Sequence, residues 1–306
     1  MSTTPTRPFI RALLVDVSGN LHVGSNPTPR AVEAFDLLRS SNVPFRLCSN
    51  TSKESTASLI SRLKHMGFEI APDEEGKRKE VWTSIGAVKQ FIKNMGLQRP
   101  YLLLSDSARE EVSPGSDITD RIESEYDSVV IGLAPSVFDY SHLNAAFRIL
   151  VGETQRAMSP SSLKSGFDLP LIATHKAKYI QTQFPPGLSL GPGPFVTALE
   201  NASGRKAFVV GKPTKAFFEA VISNFLPSEL PEDRSGKIAI IGDDVEADLG
   251  EGAIELGLWR ILVKTGKYRP GDEEKPGVVP PDEVFESFAA FIDSLLLHPN
   301  DNCTAN

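Results

Sequence analysis

The chain has 306 residues, 40% of them hydrophobic, which is enough to bury a substantial core and divide into two folding units, and excludes a single small module. A formal net charge of -7 and a pI near 5.4, with basic residues scattered along the chain, argue against nucleic acid as a partner. Two cysteines, Cys48 in an apolar run and Cys303 in a polar tail, exclude a disulfide framework and fit a reducing compartment.

The first eleven residues lack the apolar stretch of a secretory signal, and no later run has the roughly eighteen uninterrupted apolar residues of a membrane span. The expectation is a cytoplasmic protein without membrane association. Ala12-Leu13-Leu14-Val15 predicts a short strand that stops at Asp16, where Ser18-Gly19-Asn20 tolerates a turn. Ala31, Val32, Phe35 and Leu38 recur at helical spacing, and Phe45-Arg46-Leu47-Cys48 then reads as a second strand, a βαβ beginning. Thr51 or Ser52 would cap the next helix, which carries Leu59, Ile60, Leu63 and Met66 and ends at Gly67.

Residues 71–80 turn to proline and mixed charge and suit a domain boundary. Beyond them Ile85, Val88, Phe91 and Ile92 predict a helix, and residues 101–104, 128–131 and 171–174 predict strands of a second α/β unit. The polar segment 152–170 reads as a loop or insertion of no assigned function. Strand 207–210 runs into Gly211-Lys212-Pro213, and strand 238–241 runs into Gly242-Asp243-Asp244. A last strand, 259–263, precedes Lys264-Thr265-Gly266, and a helix around Phe288, Phe291, Ile292 and Leu295 closes the chain. There is no internal repeat.

In an open parallel sheet, ligands bind beyond the carboxyl ends of the strands, where strand order reverses. Four strand ends here carry suitable groups: Asp16; the Ser49-Asn50-Thr51 turn; Lys212; and Asp243, Asp244 and Asp248. A carboxylate nucleophile attacking an anionic phosphate needs hard cations and positioned donors to offset charge, and magnesium with oxygen ligands suits that task.

Asp16-Val17-Ser18-Gly19-Asn20, Ser49, Lys212 and Gly242-Asp243-Asp244 with Asp248 resemble, in order, the four motifs of haloacid dehalogenase-type hydrolases. The stretches 50–55, 191–200 and 261–268 extend the resemblance over nearly the whole chain. More than half the chain separates Ser49 from Lys212, which resembles the subfamily with a large cap after the second motif. The resemblance implies an α/β fold: a doubly wound, Rossmann-like parallel-sheet core from residues 1–78 and 203–306, with a C2-type α/β cap inserted at 79–202. It makes Asp16 the nucleophile. Asp16, the Ser18 carbonyl and Asp243 would be Mg2+ ligands, and Asp16, Val17, Ser18, Ser49, Asn50 and Lys212 would contact a small phosphorylated substrate. Asp244 or Asp248 would hold a metal-bound water or orient the ligands. A homodimer formed through the cap is compatible with the resemblance.

One position departs from the family pattern. Most phosphatases of this kind have a second Asp two residues after the nucleophile, as general acid and then base, and here that position is Ser18. A serine hydroxyl does not deliver a proton as a carboxylic acid does. Simple alkyl phosphates should therefore be poor substrates, and phosphoramidates or pyrophosphate better ones. The expected function is a Mg2+-dependent phosphohydrolase acting through an aspartyl-phosphate. The alternative is a weakened phosphate- and metal-binding protein of the same fold; a phospho-receiver module is disfavoured by the length and the insertion. His22 and His175 lack metal-ligand spacing and receive no catalytic role. Gly191-Pro192-Gly193-Pro194 reads as a turn.

Overall fold

The computed structural model describes residues 6–71, 79–114, 126–153, 169–230 and 235–297. The charged stretch 72–78, most of the polar segment 152–170 and Cys303 lie outside the described residues. The chain begins with β1 (Ile10–Asp16), followed by a short antiparallel pair, β2 (His22–Val23) and β3 (Asn26–Pro27), and by β4 (Phe45–Ser49) and β5 (Val81–Thr83). It then builds β6 (Pro100–Leu103), β7 (Ser128–Ile131), β8 (Leu171–Ala173), an antiparallel hairpin of β9 (Tyr179–Gln183) with β10 (Pro186–Leu190), and β11 (Phe208–Val209). It finishes with β12 (Lys237–Gly242), β13 (Trp259–Val263) and β14 (Glu283–Phe285).

Two parallel sheets result. The larger has the order β14-β13-β12-β1-β4-β5, and the smaller β11-β8-β7-β6. In the larger sheet the chain moves outward from β1 to β5, then returns to the other side of β1 and moves outward again. The strand order therefore reverses at β1, and Asp16 stands at the carboxyl end of the strand where the crevice opens.

Residues 12–15 of β1 are a continuous apolar run because the strand is covered on both faces. Leu13 and Val15 enter a cluster with Phe35, Leu38, Leu59, Leu63 and Phe291, while Ala12 and Leu14 face Phe217, Phe218, Val221 and Leu249. The helix Ala31–Ser40 buries Ala31, Ala34, Phe35 and Leu38, the i, i+3, i+4, i+7 stripe of a helix lying on a sheet.

Several local readings are corrected. The helix Thr56–His65 is capped by Ser55, whose side chain accepts from Ser58 N, and not by Thr51 or Ser52. Residues 81–83 form a strand of the larger sheet, unforeseen because it has three residues and gives way at once to the helix Ser84–Met95. Thr83 serves both elements: it pairs with Ser49, and its Oγ1 accepts from Gly86 N at 3.0 Å. Gly191-Pro192-Gly193-Pro194 is the start of the helix Gly193–Ser203, with a proline in its first turn, where a missing N–H costs nothing. Sheet membership departs from the limits 79 and 202, since β5 belongs to the larger sheet and β11 to the smaller.

Candidate active site

Asp16 is in register with Cys48 of β4, and the neighbouring pair Val15 and Ile241 brings the end of β12 alongside. Asp243 follows β12 immediately, and one turn later the chain folds back so that Asp248 Oδ2 accepts from Asp244 N at 3.1 Å. Lys212 arrives from the opposite direction, at the return from the smaller sheet. Its backbone is fixed by Asn50, whose Oδ1 accepts from Lys212 N and whose Nδ2 donates to Lys212 O, both at 2.9 Å.

The buried Lys212 ammonium donates to Asp16 Oδ1 at 2.5 Å, Asp248 Oδ1 at 2.7 Å and Cys48 O at 3.0 Å. Carboxylate oxygens of Asp16, Asp243 and Asp248 lie within 4.8 Å of one another. Among the described residues, Asp16 Oδ2 and Asp243 Oδ1 are buried with no hydrogen-bond partner, an arrangement that normally costs stability unless something else occupies the gap. Two glycines shape the wall beside Asp243. Gly19 (φ 97°) and Gly266 (φ 59°) adopt left-handed backbone, and a Cβ at either would overlap Asp243 Oδ2. Thr265 Oγ1 donates to Gly19 O at 2.6 Å and ties the two loops together.

Burial dominates the electrostatics. It pushes Asp16 up to about 7, helped by Asp248 and opposed by Lys212. Asp243 rises well above the carboxylate range for the same first reason, against the pull of Lys267. Burial also acts to lower Lys212, yet Asp16 and Asp248 raise it above the usual lysine range. At Asp244 the burial effect is outweighed by Lys267, 2.8 Å away, and by the Glu246 and Ala247 amides, so its carboxyl lies below the usual range.

A cavity of about 410 Å³ opens above these groups. Of the residues singled out from sequence, Asp16, Ser18, Asn50, Lys212, Asp243 and Asp248 line it. Val17, Ser49 and Asp244 stand outside its lining: Val17 packs into the core, the buried Ser49 Oγ accepts from Thr51 N, and Asp244 faces Lys267. Of the two carboxylates left as alternatives, Asp248 joins the acidic cluster and Asp244 braces the loop beside it.

The sequence reading missed Arg62 and Lys267 as lining residues, and it named His22 and His175 but gave them no catalytic role. Arg62 reaches in from the helix Thr56–His65, pairs with Glu54 at 2.5 Å and lies 3.3 Å from His22 Nε2. His175, from the end of β8, stands 3.5 Å from Ser52 Oγ. Burial first, then nearby cations, lowers His22 to about 4 and His175 to about 3. Lys267 also lines the cavity; it lies beside the Lys264-Thr265-Gly266 string, where a position after a strand end was the available signal. Ser52 Oγ accepts from Leu133 N at 2.9 Å, so the smaller unit meets the larger directly at the cavity wall.

A doubly wound sheet with a carboxylate at its switch point, a lysine bridging two aspartates and a second α/β unit overhead define a hydrolase class. The family model described as haloacid dehalogenase-like hydrolase matches residues 13–114, and a second, HAD-hydrolase-like, matches residues 209–291. The chain is 41% identical over 292 residues to haloacid dehalogenase-like hydrolase domain-containing protein 2 of Mus musculus, covering 95% of this chain and 98% of that protein. It is 34% identical to phospholysine phosphohistidine inorganic pyrophosphate phosphatase of Homo sapiens, covering 94% and 95%. Among solved structures, glycerol phosphate phosphatase from Mycobacterium tuberculosis in complex with magnesium shares the fold, with TM-score 0.69, 23% identity and coverage of 92% of this chain and 76% of that one. The chain belongs to the haloacid dehalogenase-like hydrolases.

Proposed function

We propose that the protein is a Mg2+-dependent phosphatase in which Asp16 is the nucleophile. The observation that carries this reading is that Asp16 lines the cavity with its Oδ1 held by Lys212 at 2.5 Å, while its buried Oδ2 has no hydrogen-bond partner. One oxygen is oriented by a cation and the other is available. The phosphatase among the relatives supports the reaction class.

The donor set fits a hard divalent cation. Asp16, Asp243, Asp244 and Asp248 oppose Lys212 and Lys267, four carboxylates against two ammonium groups, which leaves the charge that one such ion would neutralise. Asp16, Asp243 and the Ser18 carbonyl would hold it, with Asp248 adjacent. The magnesium in the fold neighbour agrees with that choice. When bound, the ion would offset the charge of the phosphoryl group and keep the carboxylates ionised.

In this reaction an Asp16 oxygen bonds to phosphorus as the bond to the leaving group breaks in line, giving an aspartyl-phosphate. Water then attacks that phosphorus, phosphate departs and Asp16 is regenerated. Lys212 offsets the charge throughout. Proton supply to the leaving group is weak. Ser18 is a hydroxyl, and His22 and His175 are neutral at pH 7 because burial holds them at about 4 and 3. Leaving groups that need no proton from the protein, such as a phosphoramidate nitrogen already protonated from solution or the phosphate of pyrophosphate, should react best. The smaller sheet with its hairpin acts as the cap, contributing Leu133, His175, Ile180 and Gln181 to the lining.

Phosphate release with Mg2+ from phosphoramidates, pyrophosphate, sugar phosphates and an aryl phosphate, for wild type and Asp16→Asn, tests this directly. The expected result is turnover that disappears in the variant and on chelation. Faster turnover of alkyl phosphates than of phosphoramidates or pyrophosphate would overturn the leaving-group argument. No turnover on any member would favour the phosphate- and metal-binding alternative that Ser18 keeps in view.

A further inference from the structure

Four lysine and arginine side chains line the cavity: Lys53, Arg62, Lys212 and Lys267. Three are paired with carboxylates of the protein. Arg62 binds Glu54 at 2.5 Å, Lys212 binds Asp16 and Asp248, and Lys267 binds Asp244 at 2.8 Å. Lys53 is the exception, with no carboxylate within ion-pair distance among the described residues. Its neighbour Glu54 is already engaged: both of its oxygens face Arg62, and one also accepts from Ser58 Oγ.

The backbone around Lys53 is held firmly. Lys53 O accepts from Ser105 Oγ at 2.7 Å, Ser52 Oγ accepts from Leu133 N, and Ser55 N donates to Ser107 Oγ at 3.0 Å. Three bonds to the smaller unit therefore fix the loop from which Lys53, an exposed residue with no ion-pair partner among the described residues, lines the cavity. Partial burial lowers its pKa, with Glu54 opposing and Arg62 adding to the effect, the behaviour of a cation whose environment does not yet compensate it. Asp16 and Lys212 are buried on the cavity floor. An in-line attack from Asp16 sends the leaving group away from the buried carboxylate, into a cavity whose exposed lining includes Lys53.

We propose that Lys53 determines specificity by receiving a second anionic group on the leaving-group side of the substrate, so that among leaving groups needing no proton from the protein those carrying a second anionic group, as in a diphosphate, are preferred. This rests on the phosphatase reading and deepens it. Arg62 does not fill the role, because its charge is already met by Glu54.

Binding of non-hydrolysable probes tests the idea without relying on turnover. Methylenediphosphonate and methylphosphonate are titrated by calorimetry, with Mg2+, into the wild type, Lys53→Ala and Lys53→Arg. The expected result is that Lys53→Ala weakens methylenediphosphonate binding roughly tenfold and methylphosphonate binding less than about twofold, with Lys53→Arg restoring most of the loss. Equal weakening of both probes, no change in either, or failure of the wild type to prefer the diphosphonate would overturn the proposal. Phosphate release from pyrophosphate and p-nitrophenyl phosphate is followed in parallel. Absent turnover of both by the wild type would sink the phosphatase reading, while the titration still reads Lys53.

Discussion

Lys212 joins two carboxylates that come from different strand ends, and no water-exposed path replaces it, since all three groups are buried. Replacing it with methionine keeps the apolar stem and leaves Asp16 and Asp248 without their counter-ion. The expected outcome is a loss of about 3–5 kcal/mol in urea unfolding together with a fall in turnover of at least about 100-fold. Gly266 fails for a different reason. Gly266→Ala places a methyl group against Asp243 Oδ2 on left-handed backbone, with an expected cost of about 1–3 kcal/mol. The Mg2+ concentration needed for half-maximal activity should rise; an unchanged requirement would show that Asp243 moves aside freely.

At the scale of elements, the helix Thr56–His65 carries both a cap and a cavity residue. Ser55→Ala removes the acceptor for Ser58 N and should cost about 1 kcal/mol in thermal or urea unfolding, with the Arg62–Glu54 pair preserved. Elements whose signal is a buried run or an amphipathic stripe were legible in the sequence. β1, β7 and β13 each contain a continuous apolar run, residues 12–15, 129–131 and 261–263, and Asp16, Lys212 and Asp243 stand at strand ends or shortly after them. Elements that depend on partners were not. β5 is too short to show a period, β14 pairs with β13 through three residues of mixed character, and the β9–β10 hairpin has the proline-rich connection of a loop. Arg62 and Glu54 were invisible as cavity residues for the same reason, and His175 was named but set aside as a histidine without metal-ligand spacing. A helix face and the end of a strand in the other sheet bring them to the site, and no spacing near Asp16 announces either.

At the scale of the whole molecule, the two units meet around neutral, buried histidines. His22 is lowered to about 4 by burial and then by Arg62, and His175 to about 3 by burial and then by Lys267 and Lys212. Below about pH 6.5 the unfolded chain takes up protons that the folded chain refuses. The stability is therefore fully present above pH 6.5 and declines as pH falls toward 4 and 3, by about 2 kcal/mol per histidine at pH 5. Urea midpoints at pH 7 and 5, with Mg2+ saturating so that the acidic cluster stays charged, should show this decline. His175→Asn should remove about half of it. An identical slope in that variant would mean that His175 is not held neutral by the fold.

Asp16 and Lys212 are 196 residues apart in sequence yet share one short hydrogen bond. During synthesis, at roughly 5–20 residues per second, the aspartate is incorporated about 10–40 s before its lysine. Through that interval the first strand carries a carboxylate for which the core has no counter-charge, and the β12 and β13 strands that cover β1 on one side are made later still. The nascent chain therefore cannot form the Asp16–Lys212 pair until Lys212 has been made, 196 residues after Asp16.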